Sequence, residues 1–272
     1  MKNSGSLTVV GTGIKVGADI TTRAYKVIQQ ADIVYFIVPN KLSRQWLSTI
    51  NSNIVDLSLL YQDGKSRIIT YNEMINCIVN AVKSGQQVCT ALYGHPGVFA
   101  YVGHKAIKML RQDNYSARME PGISAEDCLF ADLGIDPAKS GCVSIEATQF
   151  LFYNRNIDPC SLYILWQIGL LGDHTLALGQ TNSYHAALEV LTKRLLDHYP
   201  PNHKVIIYEA SSIEIFPPRI EEIELIALGN AKLTALSTLV ILPAQEAILD
   251  NETLGLLGIT ESDIKAVLSN KI

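Results

Sequence analysis

The sequence predicts an α/β fold in two parts with a helical tail, and three observations point to it. Short apolar runs alternate with helical periods up to about residue 119, at the spacing of a parallel sheet with right-handed crossovers. A Pro-Gly break at Glu120–Ser124 (EPGIS) then interrupts the alternation. Beyond it the helices are fewer and the strands closer together, as in a mixed sheet. The expected layout is a parallel α/β domain over 1–119, a mixed α/β domain over 120–245 and a helical tail over 246–272.

Each element has its own signal. LTVV (Leu7–Val10) reads as a strand, followed by the glycine turn GTGIKVG and a helix from about Ala18 to Gln30. IVYFIV (Ile33–Val38) is a continuous apolar run, the mark of a strand buried on both faces. A helix near Ser43–Ile50 and a strand at Ile54–Leu57 follow. Thr70-x-x-Glu73 has the form of a capping box, and the helix behind it sets Met74, Ile75, Ile78, Val79 and Val82 on one stripe before Gly85. Then come a strand at Gln87–Tyr93, a helix from about Val98 to Arg111 and a strand at Tyr115–Met119. In the second part the strands are Cys142–Glu146, Leu162–Ile168, Lys204–Glu209 and Leu236–Leu242, with a helix over Ser183–His198 that stops at Pro200-Pro201. Thr260-x-x-Asp263 caps a last helix, Ile264–Ser269.

Composition limits the function. Of 272 residues 48 % are apolar and only 18 % charged, against about 25 % in an ordinary globular chain. Such a chain is not disordered, and its surplus of apolar residues suits a subunit interface. The balance of 22 basic and 26 acidic residues gives a net charge of −4 and no basic excess for nucleic acid. No apolar run approaches the ~18 residues of a membrane span. The N-terminus MKNSGSLTVVG has no leader pattern, and five scattered cysteines (Cys77, Cys89, Cys128, Cys142, Cys160) form no C-x-x-C pair. A cytoplasmic protein with reduced cysteines is expected. The histidines (His95, His104, His174, His185, His198, His203) include no H-x-x-x-H pair, so no metal is expected.

Three loops carry the chemistry. Gly11-Thr12-Gly13 with Gly17 follows the first strand, where a dinucleotide fingerprint would sit, but the spacing is GxGxxxG. Asp32, the acid at ribose-binding distance, precedes the second strand instead of ending it, which argues against NAD. YGHPGVFA (Tyr93–Ala100) leaves the carboxyl end of a buried strand, where open α/β sheets bind ligands. EPGISA (Glu120–Ala125) offers backbone groups at a helix start. Together they make a three-loop cradle that grips a ligand mainly through backbone.

GTG, YGHPGVFA and MEPGISA, with IYEAS (Ile207–Ser211) and STLVILP (Ser237–Pro243), resemble the tetrapyrrole methylase superfamily over about residues 7–243. The resemblance implies two α/β domains with S-adenosylmethionine folded in the cleft between them, and a homodimer. His95 stands where porphyrin and corrin enzymes carry Asp, and this form of the loop is similar to the borosin branch of peptide backbone α-N-methyltransferases. That branch implies a catalytic set of Tyr61, Arg67, Tyr71 and Tyr93; a further tyrosine of some members corresponds to Ser58. It places the cofactor, leaving as S-adenosylhomocysteine, against Tyr93, His95, Val98, Ala100, Ser124, Ala125, Gln167, Ala210, Ser237 and Thr238.

These residues also make chemical sense without the family. Behind a cap at Thr70, Tyr71 occupies the first turn of its helix, where the dipole favours a phenolate. Arg67 adds positive charge that lowers the phenol's pKa from about 10. A base is required because the amide lone pair is delocalised, and Arg67 or Tyr93 would steady the imidate oxygen. Interface aromatics and a surface cation are the competing reading. The polar tail ESDIKAVLSNKI carries no Val/Ile/Gly-rich substrate stretch, so a separate precursor peptide is expected, with a heterotetramer of two enzyme and two precursor chains as a further assembly. The rivals are a methyltransferase for precorrins or uroporphyrinogen, whose polycarboxylate substrate needs several Arg or Lys, and a non-catalytic nucleotide-binding module.

Overall fold

The computed structural model describes residues 4–62, 64–172 and 184–264. His174, Ser183 and all but Ile264 of the expected last helix lie outside them. The first sheet runs β3 (Ile54–Asp56), β2 (Ile33–Ile37), β4 (Gln87–Leu92), β1 (Ser6–Gly11), β5 (Ser116–Met119), with every neighbour parallel. Its two faces bury alternate residues of the central strands β1, β2 and β4. Val88 and Leu92 of β4 face helices α3 (Arg67–Lys83) and α4 (Tyr101–Gln112), packing with Met74, Ile75, Ile78 and Val82. Cys89 and Ala91 face α1 (Thr22–Gln30) and α2 (Lys41–Ile50) through Ala24, Ile28 and Leu47. The apolar stripe expected on α3 is the one that is buried.

The second sheet has the order β6 (Cys142–Glu146), β7 (Leu162–Trp166), β10 (Thr238–Ile241), β8 (Lys204–Glu209), β9 (Arg219–Glu224). Only β6 and β7 pair in parallel; the other pairs are antiparallel. Helices α6 (Ala147–Phe152) and α7 (Tyr184–Leu196) cover one face around Phe150, Leu188 and Leu239. Helix α5 (Ala125–Leu133) covers the other through Leu129, against Trp166, Tyr208 and Val240. Helix α8 (Asn251–Leu257) follows, capped by Asp250, and the Thr260–Asp263 cap is formed as expected.

Several boundaries differ from the expectation, each for a local reason. Helix α1 begins at Thr22, not Ala18, because the Asp19 carboxylate accepts from Ile14 N (3.2 Å) and Lys15 N (2.8 Å) and ties this stretch into a loop. Helix α3 begins at Arg67 behind Ser66, so Thr70-x-x-Glu73 is not a capping box. Thr70 is 1 % exposed inside the helix, and Glu73 pairs with Lys65 instead. Helix α4 starts at Tyr101, since Phe99 holds a left-handed φ of 51° just before it. Strand β9 is not among the expected elements because RIEEIE is as polar as a loop; it is an edge strand with Glu221, Glu222 and Glu224 exposed.

Candidate active site

The carboxyl ends of β1 and β4 carry the first two glycine loops, and backbone groups zip these loops together. Gly94 N donates to Gly13 O at 3.0 Å, and Thr12 N to Leu92 O at 2.8 Å. The approach demands glycine: a Cβ on Gly11 would fall 2.2 Å from Gly94 O. Gly122 of the third loop packs on the same pair: a Cβ on it would fall 3.2 Å from Gly11 Cα and from Gly94 O. Most of these glycines therefore serve backbone–backbone contact, not ligand contact. Gly94 is different. It has φ +71°, lines the cavity described next, and an added Cβ would meet nothing closer than Ile14 Cδ1 at 3.5 Å. A Cβ on Gly97 would instead strike Met119 Sδ at 2.9 Å.

The first loop could not serve as a pyrophosphate cradle. Its amides at Ile14 and Lys15 are already taken by the Asp19 carboxylate, an anion supplied by the chain itself. Asp32 lies at the opposite end of the sheet, where its carboxylate accepts from Gln87 N at 2.7 Å. Both findings agree with the sequence argument against NAD.

A cavity of about 370 Å³ opens between the two sheets. Tyr93, Gly94, His95, Val98 and Ala100 line it from the second loop, and Ser124, Ala125 and Glu126 from the third. Gln167, Ala210 and Thr238 line it from the ends of β7 and β8 and the start of β10. Tyr61, Arg67 and Tyr71 form another wall. The expected site residues thus meet in one place, with one exception. Ser237 is fully buried and does not line the cavity; its hydroxyl donates to Glu209 and accepts from Thr234 N.

Local structure explains how these side chains are held. His95 Nδ1 accepts from Gly97 N at 3.0 Å, the turn contact an aspartate makes with the backbone two residues on. His104 closes the same loop on Gly97 O at 2.9 Å. Ser124 and Asp127 form a capping box that fixes the start of α5 at the cavity rim. Gln167 has φ 60° and ψ 39°, a left-handed conformation unusual for its type.

The tyrosine cluster departs from the expectation in one respect. With α3 starting at Arg67, Tyr71 is the helix's fifth residue, past the first turn that was to favour its phenolate. Arg67 and Tyr71, four apart, share a face. Tyr61 meets Tyr71 edge-on with ring centroids 6.5 Å apart, and Tyr71 lies 5.9 Å from Tyr101. Burial pushes the Tyr61 phenol well above its usual range, helped by Tyr71's charge and its hydrogen bond with Tyr71, while the Arg67 charge pulls the other way. Burial likewise pushes Tyr93 up to about 12, with Cys128 and Asp19 adding to the shift.

The sequence does not single out Phe99, Tyr101, Glu126 or Trp166, yet all four line the cavity, Trp166 while also packing in the core of the second sheet. Phe99 and Trp166 meet across the cleft at 6.1 Å, and Trp166 Nε1 donates to Ser144 Oγ at 2.8 Å. Their only sequence signal was adjacency to loop residues already chosen.

The family model described as tetrapyrrole (corrin/porphyrin) methylases matches residues 6–223. The chain belongs to this family. Among curated relatives, a methyltransferase/ribosomally synthesized cyclic peptide gymnopeptides precursor of Gymnopus fusipes is 38 % identical over 248 residues, covering 90 % of this chain and 59 % of that protein. A methyltransferase/ribosomally synthesized type I borosin cyclic peptide precursor of Coprinopsis marcescibilis is 39 % identical over 232 residues, 85 % of this chain and 58 % of that one. The chain thus spans a little over half the length of these two relatives. The fold recurs in the uroporphyrin-III-C-methyltransferase of Thermus thermophilus, with TM-score 0.62 and 16 % identity over 88 % of this chain and 93 % of that chain. It recurs also in the cobalt precorrin-4 methyltransferase, with TM-score 0.61 and 13 % identity over 87 % and 94 %.

Proposed function

We propose that this chain transfers methyl groups from S-adenosylmethionine to backbone amide nitrogens of a ribosomally made peptide. The observation that carries the reading is the grouping of Tyr61, Arg67 and Tyr71 on one wall of a cavity whose other walls are glycine loops and strand ends. The cavity is of ligand size. At Gly94 the missing Cβ leaves room for a ligand to approach the backbone, which suits this cofactor. Tyr93, His95, Val98, Ala100, Ser124, Ala125, Gln167, Ala210 and Thr238 would hold it. The relatives named as methyltransferases joined to cyclic-peptide precursors support a peptide substrate.

The bound cofactor supplies an electrophilic methyl on sulfonium and leaves as the thioether S-adenosylhomocysteine. The chain's own residues do the rest. The peptide nitrogen's lone pair is delocalised, so its N–H proton must leave as the N–C bond forms. Tyr71, reacting as the phenolate, accepts that proton and becomes the phenol. Tyr61, kept protonated by burial, is the donor of the tyrosine pair and holds the Tyr71 oxygen in place. Tyr93 is likewise protonated at any working pH, and with Arg67 it donates to the amide oxygen as charge gathers there. The cleft walls orient the amide and exclude water.

A polycarboxylate tetrapyrrole is disfavoured, because among the described residues Arg67 is the only Lys or Arg in the lining. We further propose that the chain is cytoplasmic, that it acts as a dimer and that the peptide comes from a separate precursor, in an assembly of two enzyme and two precursor chains. The exposed Leu59, Ile68 and Ile69 support pairing of copies. Light scattering with and without peptide reads the assembly.

The test is mass spectrometry of a synthetic Val/Ile/Gly peptide incubated with the chain and S-adenosylmethionine. Methylated amides are expected, and their absence alongside intact S-adenosylhomocysteine binding would support the binding-module reading. Tyr71→Phe and Arg67→Ala should each slow single turnover about 10²- to 10⁴-fold while S-adenosylhomocysteine affinity stays near wild type. A Tyr71→Phe variant that methylates at the wild-type rate would remove Tyr71 from the mechanism.

A further inference from the structure

Three cavity-lining residues of the second sheet lie next to residues that are tied to one another. Glu209 precedes Ala210, Ser237 precedes Thr238, and Ile168 follows Gln167. Glu209 Oε1 accepts from Ser237 Oγ at 2.5 Å and from Arg219 Nη1 at 2.8 Å. Arg219 Nη2 also donates to Lys232 O at 2.8 Å, at the start of the loop that leads into β10. Ser237 Oγ accepts from Thr234 N at 2.8 Å, and Ser237 O accepts from Ile168 N at 3.0 Å. One carboxylate therefore links the end of β8 to the start of β10, and Ser237 carries the link on to the end of β7.

We propose that Glu209, Arg219 and Ser237 form a positioning clamp that presets this wall of the cavity for the cofactor. The inference rests on the cofactor reading above, and it gives Ser237 a role one step removed from direct contact. Charge-assisted hydrogen bonds on a largely buried carboxylate suit the task, because each is stronger than a neutral one and fixes direction as well as distance. The backbone ladders end at Leu165–Leu239 between β7 and β10 and at Tyr208–Thr238 between β8 and β10, so the cavity-lining residues just beyond them need something else to set their spacing. The clamp does so in advance, and binding need not spend its energy ordering them.

The experiment measures S-adenosylhomocysteine binding by calorimetry and the KM for S-adenosylmethionine in Arg219→Ala, Arg219→Lys, Ser237→Ala and the Arg219→Ala/Ser237→Ala double variant. Each alanine variant should weaken binding about tenfold. The double variant should weaken it by less than the product of the two, since both act through Glu209. Arg219→Lys keeps the charge on a half-exposed rim and should recover part of the loss, which also guards against a variant that fails to fold. KM for S-adenosylmethionine should rise more than kcat falls. Wild-type affinity in the alanine variants, or a fall in kcat at constant KM, would overturn the clamp. A wild-type protein that binds no S-adenosylhomocysteine would overturn the cofactor reading first and the clamp with it.

Discussion

The two sheets build their sides of the cavity by opposite means. On the first, loops are locked by backbone touching backbone: Gly11, Gly94 and Gly122 stack within a few ångströms, and Gly94 N bonds to Gly13 O. On the second, strand ends are locked by side chains, chiefly the Glu209 carboxylate with Arg219 and Ser237. Gly169, where a Cβ would fall 1.9 Å from Thr234 O, is the point at which the second side also uses the first device. The difference follows from topology. Parallel strands end side by side, so their loops leave together and can touch directly. Antiparallel neighbours start and end at the same rim, and beyond their last ladder pair, Tyr208–Thr238, side chains carry the link. The first side should then suffer from atoms added, and the second from polar atoms removed.

The strongest attempt to break this comparison is Gly11→Ala. The new methyl would overlap Gly94 O, a backbone atom that cannot rotate away. A loss of about 3 kcal/mol or more in urea unfolding is expected, with cofactor affinity lost as well. A variant as stable as wild type would show that the loops are not locked by contact. Asp19→Ala should have a smaller effect, about 1–3 kcal/mol, because Ile14 N and Lys15 N lose their acceptor. It sharpens the comparison by measuring how far the first side also leans on a side chain. If unfolding is unchanged, backbone contacts alone hold the loop.

The mildest effect is a pH dependence. Burial raises Tyr93 from 10.0 to about 12, so the folded chain keeps a proton that the unfolded chain releases near pH 10. Stability from this group is complete below that pH and is lost as pH rises towards about 12, by no more than ~1.4 kcal/mol per pH unit. Tyr61, Tyr199 and Tyr208 are shifted in the same direction by burial. Thermal melts across this range should show a shallower alkaline fall in Tyr93→Phe. An identical slope would mean that the Tyr93 hydroxyl is well solvated.

How much of this was legible differs between fold and site. The central strands of the first sheet, β1, β2 and β4, were readable because both faces are buried, which makes their sequences largely apolar. Strand β9 was not, because an edge strand carries the polarity of a loop. The α3 stripe was readable from its period, whereas its start was misplaced: Thr70 has the chemistry of a cap but sits buried in the helix interior. In the site, the glycine loops and the Tyr61, Arg67, Tyr71 spacing were visible in the chain. Phe99, Trp166 and Glu126 were not, since they reach the cavity only when two sheets face each other.

The sequence by itself determined the alternation of strand and helix, the break near Glu120, the three small-residue turns and the membership they imply. These are local properties, written in period, polarity and backbone freedom over a few residues. Only the tertiary structure decided that the glycines serve mainly to bring loop against loop, that Asp19 fills the amides of the first turn, and that Ser237 stands behind the wall instead of in it. Each of those depends on which distant atom arrives within about 3 Å, the range over which a hydrogen bond or a steric clash is settled.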